Sequence, residues 1–98
     1  MTRLISGHMV QGDQPHWEPL LDLVGEDVTG WFMWMFEVEL EDGRRVDAYK
    51  HQMTRRYVHL TDDGSAFDYA GHDRYRPVDA GWAAGLACGD YPRPGDPE

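Results

Sequence analysis

Asparagine is absent from the 98 residues, and lysine, isoleucine and cysteine occur once each, as Lys50, Ile5 and Cys88. A single cysteine excludes an internal disulfide, so nothing points to an oxidising compartment. Cys88 sits between Ala87 and Gly89 with no histidine beside it, which reads as a packed thiol rather than a nucleophile. No apolar run reaches the length of a membrane-spanning helix, and no signal-peptide pattern opens the chain. The expected location is cytoplasmic. Also missing are a catalytic signature, a metal-ligand spacing and a phosphate-binding loop. The chain is therefore expected to be non-enzymatic, with no cofactor and no metal. The scarcity of Asn, Lys and Ile beside 8 Arg and 11 Gly fits a high-GC bacterial genome.

What the chain does have is aromatic bulk and negative charge. Four Trp, five Tyr and three Phe are generous for one small domain and imply an aromatic core. The formal charge of -9 makes nucleic acid and anionic membrane unfavourable partners. The charge is uneven: Arg44, Arg45, Lys50, Arg55 and Arg56 stand against Asp47 alone between positions 44 and 59. Basic residues among Tyr49, His51, Tyr57 and His59 are a weak nucleic-acid signal. Neutralisation by neighbouring acids such as Glu37, Glu39 and Glu41 is the simpler explanation.

The run from Trp31 to Glu41 alternates aromatic and branched residues with others and ends at Asp42-Gly43, a strand entering a tight turn. Further strands are expected over 44–50, 55–61 and 66–70, with a weaker one over 75–78, and Asp63-Gly64 marks a second hairpin. Pro19 and Gly25 bracket a short helix over about 17–24, and Asp79 can cap a last helix over about 80–88. The expected fold class is α+β: one domain over 1–98 with an antiparallel four- or five-stranded β-meander, a short N-terminal helix and a C-terminal helix. Residues 1–14 are expected to be loosely ordered and 89–98 an irregular, Pro-rich tail. Ser6-Gly7-His8-Met9 has the look of a cloning remnant, but no histidine tag precedes it, so it reads as native.

Apolar pairing suggests the register. A three-residue turn with Gly43 in the left-handed conformation pairs Leu40 with Arg44, Val38 with Val46 and Phe36 with Ala48. Matching Val46 to Leu60 and Ala48 to Val58 extends the sheet. A two-residue turn at Asp63-Gly64 then sets Leu60 against Phe67. Phe36, Val38, Val46, Val58 and Leu60 should form one buried cluster. The opposite face collects Glu37, Asp47 and His59 in one row, with Tyr49, His51 and Tyr57 beside it. These six residues are the candidate binding face. Two carboxylates beside His59 would raise its pKa, although a solvated outer sheet face accounts for the same residues. Trp31, Met33 and Met35 are too apolar to face water willingly, so a helix or a second subunit is expected over them.

The stretches Phe32–Gly43 and Arg55–Leu60, within the span from Trp17 to about Tyr75, resemble small hypothetical proteins of high-GC Gram-positive bacteria. The resemblance implies a bacterial cytoplasmic origin and carries over no activity, cofactor or site residue. The leading functional expectation is a small acidic, non-enzymatic protein–protein interaction module, expected to self-associate as a homodimer. The alternatives are an acidic inhibitor, such as an immunity protein or an antagonist of a nucleic-acid-binding enzyme, and a small-molecule binder using the Glu37, Asp47 and His59 face.

Overall fold

The computed structural model describes residues 4–10 and 14–89. Six strands and two helices follow in the order β1 (Ile5–Val10), α1 (Glu18–Thr29), β2 (Phe32–Leu40), β3 (Arg45–His51), β4 (Tyr57–Thr61), β5 (Ala66–Gly71), β6 (Arg74–Val78) and α2 (Ala80–Cys88). All neighbouring strands are antiparallel, and β1 pairs with both β2 and β6, so the sheet closes into a six-stranded barrel. The open four- or five-stranded meander expected from the sequence is therefore wrong. The error lies in residues 1–14, read as loosely ordered, because Ile5–Val10 is the strand that closes the barrel. Closure removes both edges that an open sheet would leave unpaired. The irregular tail expected over 89–98 lies outside the described residues from position 90 onward.

Gly7 makes the closure sterically possible. A Cβ at this position would stand 2.9 Å from Leu40 Cδ2 and 3.0 Å from both Tyr75 Cε1 and Val38 Cγ1. Only glycine lets β1 approach the interior side chains this closely. The Gly7 N–H donates to the Asp73 carbonyl at 2.9 Å, and the Glu41 N–H donates to the Ser6 carbonyl at 2.8 Å, fixing the strand on both sides.

The β2–β3 hairpin has the expected register near its turn, with Val38 opposite Val46 and Phe36 opposite Ala48. Gly43 takes φ 91° in the expected left-handed conformation. The second hairpin uses the same turn rather than a two-residue one: Gly64 has φ 86°, and the Thr61 N–H donates to the Ser65 carbonyl at 2.9 Å. That moves Phe67 opposite His59 instead of Leu60.

Two further differences decide which side chains share a face. The pairing shifts between Trp34 and Phe36, so Met35 is a bulge residue. Phe32 and Trp34 therefore lie on the outer face, whereas Phe36, Val38 and Leu40 lie on the inner one. The β3–β4 register is one residue away from the expected one, with Val46 opposite Thr61 and Ala48 opposite His59. A one-residue slip turns every side chain of a strand over. Val58 and Leu60 thus leave the Phe36, Val38 and Val46 cluster in which they were expected, and Tyr57 and His59 enter the barrel.

Two apolar clusters result. The barrel interior holds Val38, Leu40, Val46, Phe67 and Tyr75, with Ile5 and Phe36 against them. The second cluster joins the outer face to the helices through Leu20, Phe32, Tyr49, Val58, Leu60, Ala66, Ala83 and Ala87. Burying a large side chain of this kind is worth about 1.5–3 kcal/mol, so each layer contributes substantially. Helix α1 begins with Pro19 in its first turn and breaks at Gly25 (φ 86°), where the short helix was expected to end; a second helical piece continues to Thr29. Helix α2 has the expected bounds, with the Asp79 carboxylate accepting from the Trp82 N–H at 2.9 Å. Among the described residues no helix is long and apolar enough to cross a membrane.

Candidate functional site

The interior is packed at one end and hollow at the other. Strands β4 and β5 pair only through His59–Phe67 and Leu60–Ala66. Beyond these pairs Tyr57 and Tyr69 have no partner across the seam, and a cavity of about 480 Å³ opens there. Its wall takes Met9, Phe36, Tyr57, His59, Tyr69 and Tyr75 from the inner faces of the strands, with Arg56, Asp68, Asp73, Leu86 and Ala87 completing the lining. The rings touch in sequence around the wall. Phe36 and Tyr57 centroids are 6.2 Å apart, Tyr57 stacks on His59 at 5.8 Å, His59 meets Tyr75 edge-on at 5.5 Å, and Tyr75 meets Tyr69 edge-on at 5.3 Å.

Helix α2 is held beside this opening by the turn between β3 and β4. Arg56 Nη1 donates to the Leu86 carbonyl at 2.9 Å, and the Thr54 hydroxyl donates to the Ala87 carbonyl. These bonds satisfy carbonyls at the helix C-terminus, which lack partners within the helix. The His51 Nδ1 accepts the Met53 and Thr54 backbone N–H groups at 3.1 and 3.3 Å, so this histidine organises the same turn.

His59 is only 5 % exposed, and burial pushes its pKa down to about 4, against the weaker opposing effects of the Asp68 charge and the Phe67 backbone. The expected rise beside two carboxylates does not occur, because Asp47 and His59 lie on opposite faces of the barrel wall. The neutral ring keeps a buried Nδ1 with no hydrogen-bond partner among the described residues. Such orphaned nitrogens are uncommon and call for an explanation.

Of the six residues expected to form one binding face, Tyr57 and His59 line the cavity, while Glu37, Asp47, Tyr49 and His51 belong to the outer face. Glu37 pairs with Arg45 at 3.0 Å. Tyr49 is fully buried beneath α1, its hydroxyl donating to the His16 carbonyl, and burial raises its pKa far above the ordinary tyrosine value. Asp47 is also buried, accepting from Trp34 Nε1 at 2.9 Å and from His16 Nδ1 at 3.1 Å. Trp31, Met33 and Met35 remain 52 %, 41 % and 38 % exposed, so the helix expected over them is not there.

Sequence reasoning missed Phe36, Tyr69 and Tyr75 as companions of Tyr57 and His59. The signal was the alternation Tyr57-x-His59, on the face taken to be solvated, beside Phe67-x-Tyr69, on the face taken to be buried. It also missed His16 and Asp62. With Asp47 these bring ligand-type atoms within 4.8 Å of one another, the described group able to hold a cation. His16 Nδ1 lies 3.2 Å from Asp62 as well as 3.1 Å from Asp47. The hydrogen bond to Asp47 is the main cause of its raised pKa, so the cluster is explained by an ion pair that ties the segment before α1 to the barrel.

No family model matches this chain, no curated protein matches it, and no solved structure matches it.

Proposed function

We propose that this protein binds a small organic molecule inside the open end of its barrel. The observation that carries this reading is the cavity of about 480 Å³ walled by aromatic rings, among them a buried histidine whose Nδ1 has no hydrogen-bond partner among the described residues. Its volume falls in the usual range of ligand sites, about 300–1,000 Å³, and such sites combine an apolar wall with few polar groups. Titration of the intact chain with toluene, followed by NMR, tests the reading. Saturable shifts concentrated on Met9, Tyr57, His59, Tyr69 and Tyr75 are expected. Shifts absent there, or confined to the helix-covered residues Leu20 and Tyr49, would contradict it.

A second reading, self-association, rests on the exposed Trp31, Met33, Met35 and Met53, the last of them 72 % exposed. Apolar surface of this kind favours a protein contact. Sedimentation at micromolar concentrations distinguishes a dimer from a monomer, and a Trp31→Glu, Met53→Glu double variant should abolish any dimer. A strictly monomeric wild type would remove this reading.

A further inference from the structure

The wall of the cavity also restricts what can enter, and the argument rests on the reading of that cavity as a ligand site. Five rings, those of Phe36, Tyr57, His59, Tyr75 and Tyr69, form a continuous belt of contacts. Their edges and faces suit another flat ring, which can stack or meet them edge-on. Of the three charged lining residues, Asp68 alone has an ion pair among the described residues. Asp68 pairs with Arg76 at 2.8 Å, whereas Arg56 gives one N–H to the neutral Leu86 carbonyl at 2.9 Å and keeps its charge. A charged ligand moved from water against the ring belt itself would lose hydration without gaining a counter-ion from the rings. Asp73, exposed at the rim, and Arg56 have no ion pair among the described residues, so organic cations and organic anions are the rival classes.

Within the belt the unsatisfied group is the His59 ring. Its Nδ1 is the one buried side-chain polar atom with no hydrogen-bond partner among the described residues. A neutral imidazole has one donor and one acceptor nitrogen and can take either tautomer, so it can serve a hydroxyl or an N–H group. We propose that the ligand is an uncharged planar ring system carrying one polar edge group, and that His59 selects it by a hydrogen bond to that group. Phe36, Tyr57, Tyr69 and Tyr75 hold the ring body. His59 is then a specificity-determining residue rather than a catalytic one.

Phenol and toluene differ by one hydroxyl at nearly equal size, and benzylamine and benzoate supply the cationic and anionic counterparts. Binding of each to the full chain is measured by NMR titration, in the wild type and in His59→Phe, which keeps a ring in the belt. A net hydrogen bond of about 0.5–1.5 kcal/mol corresponds to roughly a twofold to twelvefold change. His59→Phe is therefore expected to weaken phenol by about that factor and to leave toluene unchanged or tighter. In the wild type, the His59 ring nitrogens should shift with phenol and not with toluene, a readout that does not depend on the variant folding. An unchanged phenol-to-toluene ratio in His59→Phe, or His59 nitrogens indifferent to phenol, overturns the proposal while leaving the cavity reading intact. Tighter binding of benzylamine than of phenol overturns it in favour of an organic cation, and tighter binding of benzoate overturns it in favour of an organic anion. Failure of all the probes to bind overturns both the proposal and the reading on which it rests.

Discussion

The two ends of the barrel interior are built from the same strands and differ in what fills them. At the closed end Val38, Leu40, Val46 and Phe67 interdigitate, and Gly7 omits a side chain so that β1 can lie against them. At the other end the residues are larger, yet the strands part. Tyr57 is 38 % exposed and Tyr69 48 %, because the β4–β5 ladder stops at His59–Phe67 and nothing crosses the gap. Aliphatic residues at the closed end serve stability, and aromatic residues around the gap preserve a space. A wall of rings can stay open because each ring is supported edge-on or face-on by the next.

Substitutions can break this contrast in order of expected effect. Leu40→Ala, at a residue 1 % exposed, should cost about 2–5 kcal/mol by leaving a void in the packed end. Urea denaturation measures it, and a cost below about 1 kcal/mol would show that this end is not close-packed. Gly7→Ala should cost about 1–3 kcal/mol, because the new methyl meets Leu40, Val38 and Tyr75 at about 3 Å. A neutral effect would mean that β1 does not close the barrel. At the open end Tyr69→Ala should remove its edge-on contact with Tyr75, about 0.5–1.5 kcal/mol, and the exposed hydrogen bond its hydroxyl accepts from the Asp73 N–H, while weakening toluene binding. A large stability loss with intact binding would reverse the roles assigned to the two ends.

The smallest effect concerns the exterior. His16 has a raised pKa, first through its hydrogen bond to Asp47, then through the charges of Asp47, Asp62 and Glu18. Its contribution to stability is fully present below the unfolded value of about 6.5 and is lost as pH rises through the higher folded value. The His16 side chain is 42 % exposed, so solvent screening keeps this contribution small. NMR titration should show the His16 pKa falling in Asp62→Asn; an unchanged value would remove Asp62 from the cluster.

Local signals in the sequence were readable where one physical cause acted alone. Asp42-Gly43 and the pairing of Val38 with Val46 placed the first hairpin, and Asp79 with the apolar run after it placed α2. The second hairpin was seen but mispaired, because Gly64 was assigned to a shorter turn than the one it forms. The larger error came from burial on both faces of the sheet. Val58 and Leu60 are buried under the helices, while His59 and Thr61 are buried in or beside the barrel interior. Alternation distinguishes inside from outside only when one face is wet, so the apolar pattern selected the wrong register for β4. The bulge at Met35 shifted the parity of β2 in the same way, and nothing in Trp34-Met35-Phe36 marks it. Strand β1 has few branched or aromatic residues, and only Ile5-x-Gly7-x-Met9 hints at it. Tyr57 and His59 were therefore singled out as site residues but assigned the wrong companions.

The placement of His59 inside the barrel is the point on which both the register and the ligand site depend. With its folded pKa lowered to about 4 and its unfolded value near 6.5, this residue makes stability fall as pH drops between those two values, because the unfolded chain takes up the proton first. NMR titration of the His59 ring in the free protein measures the placement directly. The ring should stay neutral down to about pH 4. A pKa at or above about 6.5 would put His59 in a solvated or carboxylate-flanked position and contradict the account.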